Sequence, residues 1–249
     1  MRSDTTPAPP RDLAVVWAQT RQRIVDLVVG VTAADEADPV PTLPGTSLRS
    51  VVAHLVHQSS RAGDGGDPQR CNHDVVESGS CHYEGVGLKD LLAAWGAAQP
   101  QLSRRIAAGD AGAGQLITDL AMHEHDIRTT VGQPGSRDSE AIRIALDDLA
   151  GQFSDRVQQR ALPPVRVTVE QWGTIVGDGP ATGCLVADRF EFVRGMAGRR
   201  SAAEVRRWNW GVDATAYLAV LSASPLPDDE IHERDPRIPE HMRDREFLL

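Results

Sequence analysis

The sequence lacks the features that mark disulfide-rich, membrane-spanning and exported proteins. It has three cysteines in 249 residues, an odd number that is too small for a disulfide framework. No stretch approaches the ~20 consecutive apolar residues of a membrane span. The N-terminal run MRSDTTPAPPRDL has no apolar core of the kind that a signal peptide needs. We therefore expect a cytoplasmic protein with no membrane partner.

Basic residues are also in deficit. The chain has 26 lysines and arginines against 35 aspartates and glutamates, which gives a net charge of −9 and an isoelectric point near 5.3. This balance disfavours attraction to nucleic acid, so we expect no nucleic-acid partner. No internal repeat or low-complexity tract is present. The 41% of hydrophobic residues suffices for one large core or two modest ones, and the length favours two.

Apolar residues at helical spacing predict five helices between residues 11 and 160. The second helix has Thr46 or Ser47 as a candidate cap. The third contains Pro100, where we expect a bend. The fifth runs from about Ser139 to Arg160. This part of the chain is therefore predicted to be all helical.

After Pro163 the pattern changes to strands. VRVTVEQ places its valines at alternate positions, and two more short strand patterns and three helical pieces follow. We expect three or more antiparallel strands with two or three helices over residues 162–224. The charged, proline-broken segment 225–249 is expected to wrap the surface or to be disordered. The predicted fold class is mainly α, followed by a small α+β part.

One helical run, QLITDLAMHEHDIRTTVG, places a carboxylate and an imidazole on one face. Asp119 and His123 are four residues apart, so their side chains can converge on one ion. The apolar stripe of this helix lies on or beside the same face, so the pair looks into a core. A buried carboxylate needs a neutralising partner, which is a metal cation, an arginine or a protonated histidine. His125 falls on another face and is not expected to be a ligand.

The second predicted helix carries two histidines. His54 lies beside Val51 at the edge of the apolar stripe, whereas His57 points nearly away from it. Taken alone, a histidine at such an edge is more often an ordinary core or surface residue than a metal ligand. His54 is therefore the candidate that faces the core, and its interpretation as a metal ligand depends on the other residues that meet it.

Residues 61–87 are rich in glycine, polar and aperiodic. Such a long loop is more often functional or mobile than a simple connector. It contains Cys71, His73, Cys81 and His82, but their spacing matches none of the common zinc pairings. A second zinc site and a local Cys71–Cys81 disulfide are minor alternatives.

The run SLRSVVAHL, which ends just after His54, and the later run DLAMHEHDIR resemble those of the DinB-like metalloproteins. They are similar in particular to the actinobacterial branch named for mycothiol-dependent maleylpyruvate isomerase. RFEFVRGMAGRRS and WNWGVD resemble the second domain of that branch. The resemblance implies an up-and-down four-helix bundle with an additional helix over residues 10–161. A small α+β domain over 162–224 and a charged tail over 225–249 would follow.

In that family a divalent metal, usually zinc, is bound by one histidine on helix two and by an acidic-x-x-x-histidine pair on a later helix. Carried over by position, the ligands are His54, Asp119 and His123. The family more often has glutamate or histidine where this chain has Asp119, which is shorter than glutamate by one methylene group. Three protein ligands with open positions are typical of catalytic zinc. The resemblance also implies mycothiol as a cosubstrate whose thiol the metal holds as thiolate.

Three further residues are candidates for the site. Asp126 lies one turn beyond His123 and can orient its imidazole. The alternative for Asp126 is a surface ion pair with Arg128 or Arg137.

Arg199 and Arg200 are candidates for binding an anionic substrate. Adjacent arginines are more often surface charges or interdomain salt bridges. The sequence favours Trp172, Trp208 and Trp210 as packing anchors.

Together these features predict a zinc-dependent, mycothiol-using enzyme of the isomerase or S-transferase type. Its partners would be a small-molecule substrate and a low-molecular-weight thiol, and it would act as a monomer or homodimer. One alternative is a non-catalytic metal- or small-ligand-binding module, for instance a stress-linked sensor. Another is a metal-free triad in which His54 and His123 are ion-paired to Asp119.

Overall fold

Long helices occupy the first two thirds of the chain. The computed structural model describes residues 11–67, 76, 79–109, 112–239 and 241. Within these residues, none of the helices is long and apolar enough to cross a membrane. The long helices are α1 (Leu13–Val28), α2 (Leu48–Gly63), α3 (Leu88–Ala107), α4 (Ala113–Thr130) and α5 (Glu140–Gln159).

Local sequence signals set the ends of these helices. Ser47, one of the two predicted caps, accepts the backbone N–H of Ser50 at 3.2 Å. Ser139 caps α5 in the same way. Gly112, with φ of 92°, turns the chain into α4 through a conformation that glycine tolerates. Pro100 lies inside α3 without ending it. The five predicted helices are confirmed.

The helices pack as a bundle with one additional member. α2 packs against α3 and α4, and α1 packs against α3, α4 and α5. α5 lies on the outer side of α4 and also contacts the second part of the chain. The buried apolar side chains of the helices and of the sheet form one continuous cluster. The interior of the bundle is therefore largely apolar, and a charged group placed there is costly unless it is paired.

The second part of the chain is a four-stranded mixed sheet with short helices. The strands are β1 (Val165–Val169), β2 (Trp172–Val176), β3 (Gly183–Val186) and β4 (Asn209–Trp210), in the order β2-β1-β3-β4. The helices are α6 (Arg189–Met196), α7 (Ala202–Arg206) and α8 (Thr215–Leu221). The alternate valines of β1 are all fully buried, as their spacing predicted.

The expectation of an antiparallel sheet is wrong for one pair of strands. β1 pairs antiparallel with β2 but parallel with β3, with Val165 opposite Gly183. The chain leaves β2, passes the start of β1, where the N–H of Thr182 bonds to the carbonyl of Pro164 at 2.8 Å, and pairs on the other edge of β1. Alternation of apolar residues fixes the buried face of a strand but not its neighbour.

The C-terminal segment is not simply a surface wrap. Residues 225–239 form no helix or strand, but Ile231 and Glu233 are buried. Glu233 is 7% exposed and forms ion pairs with Arg194 and Arg200. The expectation that this segment wraps the surface is wrong for Glu233, whose buried carboxylate is bound by two arginines.

The predicted 61–87 loop begins later than expected, since α2 continues to Gly63. Residues 79–81 are helical and lie against α2. Cys71 and His73 lie outside the described residues, so the second zinc site and the disulfide stay predictions. Cys81 is exposed.

Candidate metal centre

Three buried side chains from two helices meet inside the bundle. His54 is on α2, and Asp119 and His123 are on α4. His54 Nε2 lies 3.1 Å from Asp119 Oδ2, and His123 Nε2 lies 3.5 Å from Asp119 Oδ1. One potential ligand atom from each residue lies within 4.8 Å of the other two. We call this group the triad.

The positions of the triad follow from the two helices that carry it. Asp119 and His123 are one turn apart on α4, so both point to the same side. His54 follows Val51 by three residues on α2, and both are fully buried. Because α2 packs against α4, the two inward faces bring His54 to the pair. The centroids of the two imidazole rings are 5.1 Å apart.

The second nitrogen of His123 is held by Asp126. Nδ1 of His123 lies 3.0 Å from Asp126 Oδ2, and both side chains are fully buried. An ionised carboxylate only accepts hydrogen bonds, so Nδ1 carries the proton and Nε2 presents its lone pair toward Asp119. This arrangement is common for histidines that bind metals.

Asp126 is ionised because it is surrounded by donors. Thr42 Oγ1 donates to Asp126 Oδ1 at 2.6 Å, and the guanidinium groups of Arg194 and Arg199 lie at 2.7 and 3.1 Å. Burial disfavours the charge, but Arg199 and Arg194 outweigh it and hold the pKa of Asp126 well below its usual range. The alternative of a surface pair with Arg128 or Arg137 is wrong.

The protonation state of His123 suits a metal ligand. Burial lowers the pKa of His123, against the opposing effect of the hydrogen bond that His123 donates to Asp126. The imidazole is therefore neutral at pH 7, and the neutral form binds metals.

The triad fits a divalent metal on the chemistry of its donors. Two imidazoles and one carboxylate form a usual ligand set of catalytic zinc, and the same set binds non-haem iron. Asp119 contacts both histidines of the triad through its carboxylate oxygens. Since burial keeps His123 neutral, a bound cation would neutralise the charge of Asp119. His54 Nδ1 has no hydrogen-bond partner among the described residues and faces Gly79.

Arg199 and Arg200 are buried and bonded to carboxylates. Arg199 donates to Asp126 at 3.1 Å. Arg200 donates to Glu191 at 2.5 Å and to Glu233 at 2.6 Å. These contacts join the second part of the chain to the centre, as the salt-bridge alternative described. Substrate binding by the two arginines stays a prediction.

Three residues near the centre were missed by the sequence reading: Thr42, Arg194 and Glu233. Arg194 is fully buried in the helix RFEFVRGM, but that helix also contains Arg189 and Glu191, so the presence of an arginine in it was not by itself a signal. Thr42 and Glu233 lie in irregular segments, where no periodicity marks an inward side chain.

The other histidines and the tryptophans contact groups outside the triad. His57 stacks near His82, with ring centroids 4.1 Å apart. His125 packs edge-on against Phe190, and burial lowers its pKa to about 3. The tryptophans make packing contacts: Trp208 stacks on Trp210, and Trp172 donates to Asp147.

The fold and the triad together define a helical-bundle protein with a candidate two-histidine, one-carboxylate metal centre. Neither the family models nor the curated proteins include a match. Among solved structures, a histidine-to-alanine mutant of the mycothiol-dependent maleylpyruvate isomerase has a similar fold. Its TM-score is 0.51 at 10% identity, over 77% of this chain and 90% of that chain. The mycothiol-dependent maleylpyruvate isomerase itself gives 0.49 at 13% identity over the same shares. At this identity the similarity shows the fold alone.

Proposed function

We propose that the protein is a zinc-dependent enzyme that uses a low-molecular-weight thiol, of the mycothiol type, on small electrophilic or unsaturated molecules. The observation that carries this proposal is the convergence of His54, Asp119 and His123 on one buried point. A zinc ion there would lower the pKa of a thiol bound to it and so make the thiolate available at neutral pH.

The chain's own residues have separate tasks in this proposal. His54 and His123 present Nε2 to the ion, and Asp119 supplies the negative charge that a divalent cation requires. Asp126 keeps the proton of His123 on Nδ1, so that Nε2 has the lone pair with which an imidazole binds a metal. Three protein ligands leave room for a further ligand, which is the condition for chemistry at such a centre.

The reaction classes are an isomerisation and an S-transfer. In the first, the thiolate sulfur adds to one carbon of a cis double bond, and the π electrons move into the conjugated carbonyl group. The resulting single bond rotates, and expulsion of the thiolate restores the double bond in the trans form, so no thiol is consumed. In the second, the carbon next to the carbonyl group takes up a proton from the solvent after addition, and the product leaves as a thioether. The name of the similar-fold isomerase supports the first class.

A metal and turnover assay tests this function. Purified wild-type protein should contain about one zinc per chain and should convert a cis-unsaturated diacid, or consume an electrophile, only when mycothiol is present. His54→Ala and His123→Ala should lose the metal and the activity. His57→Ala is the matched control on the same helix and should keep both. Unchanged metal content in both ligand variants would reject the centre.

A second candidate function is a binding module for a metal or small ligand. The contacts of Arg199 and Arg200 favour this function. Both arginines were candidates for binding an anionic substrate, but in the structure they bond to carboxylates of the protein. A protein of this kind would hold zinc at the triad and would neither isomerise the diacid nor consume the thiol.

A further inference from the structure

The hydrogen bonds around His123 continue through the second part of the chain into the C-terminal segment. His123 Nδ1 donates to Asp126 Oδ2 at 3.0 Å. Arg194 Nη2 donates to Asp126 Oδ1 at 2.7 Å, and Arg194 Nε donates to Glu233 Oε2 at 2.7 Å. None of the four side chains is more than 4% exposed. We call this series the relay.

Arg194 is held on every side of its guanidinium group. Two nitrogens, Nε and Nη2, donate to the two oxygens of Glu233 at 2.7 and 2.9 Å. Nη2 also donates to Asp126, and Nη1 donates to the carbonyl of Met122 at 3.1 Å. A planar guanidinium with a two-pronged carboxylate contact has one allowed orientation. Glu233 therefore fixes the direction from which Arg194 approaches Asp126.

Glu233 is itself fixed by donors from two other elements. Arg200 Nη1 donates to Glu233 at 2.6 Å, and Thr129 Oγ1 donates at 3.0 Å. Burial disfavours the carboxylate charge, but Arg194 and Arg200 outweigh it and lower the pKa of Glu233 to about 2. Glu233 is therefore an anion over the whole physiological pH range.

We propose that Arg194 and Glu233 are positioning residues of the metal centre. Glu233 orients Arg194, Arg194 orients Asp126, and Asp126 holds the His123 imidazole with Nε2 toward the ion. The C-terminal segment thus completes a centre whose ligands all come from the helical part. This inference rests on metal binding by the triad, which the proposed function also requires.

The same contacts have a simpler interpretation as salt bridges that only stabilise the fold. The two interpretations differ in one respect. If the relay positions His123, a change at Glu233 alters metal affinity in protein that remains folded, and it does so only while Asp126 can transmit it. If the contacts only stabilise the fold, a change at Glu233 lowers the free energy of unfolding, and the protein that remains folded keeps its wild-type metal affinity.

The test measures zinc affinity of the full-length protein by competition with a chromophoric chelator, together with the visible spectrum of the cobalt(II) form. Glu233→Gln should weaken zinc binding about 10- to 100-fold, the size of effect found for outer partners of metal ligands, and should shift the cobalt bands. Glu230→Gln is the matched control. Glu230 lies on the surface of the same segment as Glu233, and its carboxylate pairs with Arg207. The zinc affinity of this variant should stay within about twofold of wild type.

A double-mutant comparison separates positioning from stability. In an Asp126→Asn background, Glu233→Gln should change zinc affinity less than about twofold, because the connection to His123 is already altered. A full 10- to 100-fold loss in that background would overturn the proposal, as would wild-type affinity in folded Glu233→Gln. If Glu233→Gln does not fold, Arg194→Lys decides in the same way. The lysine keeps the positive charge but loses the two-pronged contact of the guanidinium group with Glu233. Weakened zinc binding would therefore support the relay, and wild-type zinc binding would reject it.

Different results would overturn the proposed enzyme function and the relay. A wild-type protein that binds neither zinc nor cobalt overturns both. A wild-type protein that binds zinc and turns over no thiol rejects the enzyme and leaves the relay to be judged by its affinities.

Discussion

Two groups of buried charges lie on opposite sides of the His123 ring, and they are neutralised differently. On the Nδ1 side is the arginine cluster, in which guanidinium groups bond directly to carboxylates. On the Nε2 side is the triad, in which the Asp119 carboxylate meets two imidazoles. The arginine cluster consists of Asp126, Arg194, Arg199, Arg200 and Glu233.

This difference indicates what each group is for. In the arginine cluster the protein supplies the cations, so the charges are balanced without any ligand. In the triad, two imidazoles and one carboxylate converge, and burial keeps His123 neutral. A neutral imidazole is the form that binds metals. The donor set of the triad therefore suits a metal ion, whereas the arginine cluster does not.

The largest expected effect comes from unbalancing the arginine cluster. Arg194→Met leaves two buried carboxylates without their shared cation, so we expect a loss of about 3–5 kcal/mol in the free energy of unfolding, measured by urea denaturation. Asp119→Asn removes the charge of the triad and should lower the stability of the metal-free protein by less than about 1 kcal/mol. Equal losses would show that the triad is balanced internally, and the contrast between the groups would fail.

Metal addition should stabilise through the triad alone. At a zinc concentration about a thousand times the dissociation constant, the wild-type protein should gain about 4 kcal/mol in unfolding free energy. Chelation should reverse this gain. Asp119→Asn should gain little, since one ligand is missing. A gain of equal size in this variant would place the zinc somewhere else.

The arginine cluster should give a distinct pH dependence. Glu233 has a folded-state pKa of about 2 against an ordinary value of 4.5, so its stabilising effect is full above pH 4.5 and is lost as the pH falls toward 2. This contribution amounts to at most about 3 kcal/mol. The stability difference between wild type and Glu233→Gln should therefore shrink between pH 6 and pH 3. A difference that is constant over this range would contradict the ionised, arginine-paired state of Glu233.

The smallest expected effect concerns the other imidazole of the triad. A Cβ atom added at Gly79 would lie 3.2 Å from His54 Nδ1 and 3.3 Å from its Cα. Gly79→Ala should therefore displace the imidazole by a few tenths of an ångström and weaken zinc binding about tenfold, which is about 1.4 kcal/mol. Gly30→Ala is the control, because the space around that position is open. Equal zinc affinities in the two variants would show that the helical residues 79–81 do not constrain His54.

Local patterns in the sequence were sufficient for the helices and for the inward positions of His54, Asp119 and His123, but the assignment of the three as one ligand set came from the family resemblance. The 3.6-residue period and the caps Ser47 and Ser139 specify helices locally, and the four-residue spacing of Asp119 and His123 specifies a shared face. The wheel position of His54 was enough to name it as inward. Each of these inferences depends on neighbours along the chain, which is the information a single sequence contains.

The parts that were missed depend on contacts between distant segments. The parallel pairing of β1 with β3 depends on which edge the chain reaches after β2, and strand alternation does not record this. Glu233 lies 39 residues from Arg194 in a segment without periodicity. Ion pairs of this kind leave no local pattern in either partner, so only the folded chain shows them.

The most direct test of the central claim is anomalous diffraction at the zinc absorption edge from crystals of the zinc-loaded protein. We expect one peak among His54 Nε2, His123 Nε2 and an Asp119 oxygen, at about 2.0–2.2 Å from each, with none at the arginine cluster. A triad without a peak, with both imidazoles bonded directly to Asp119, would contradict the assignment.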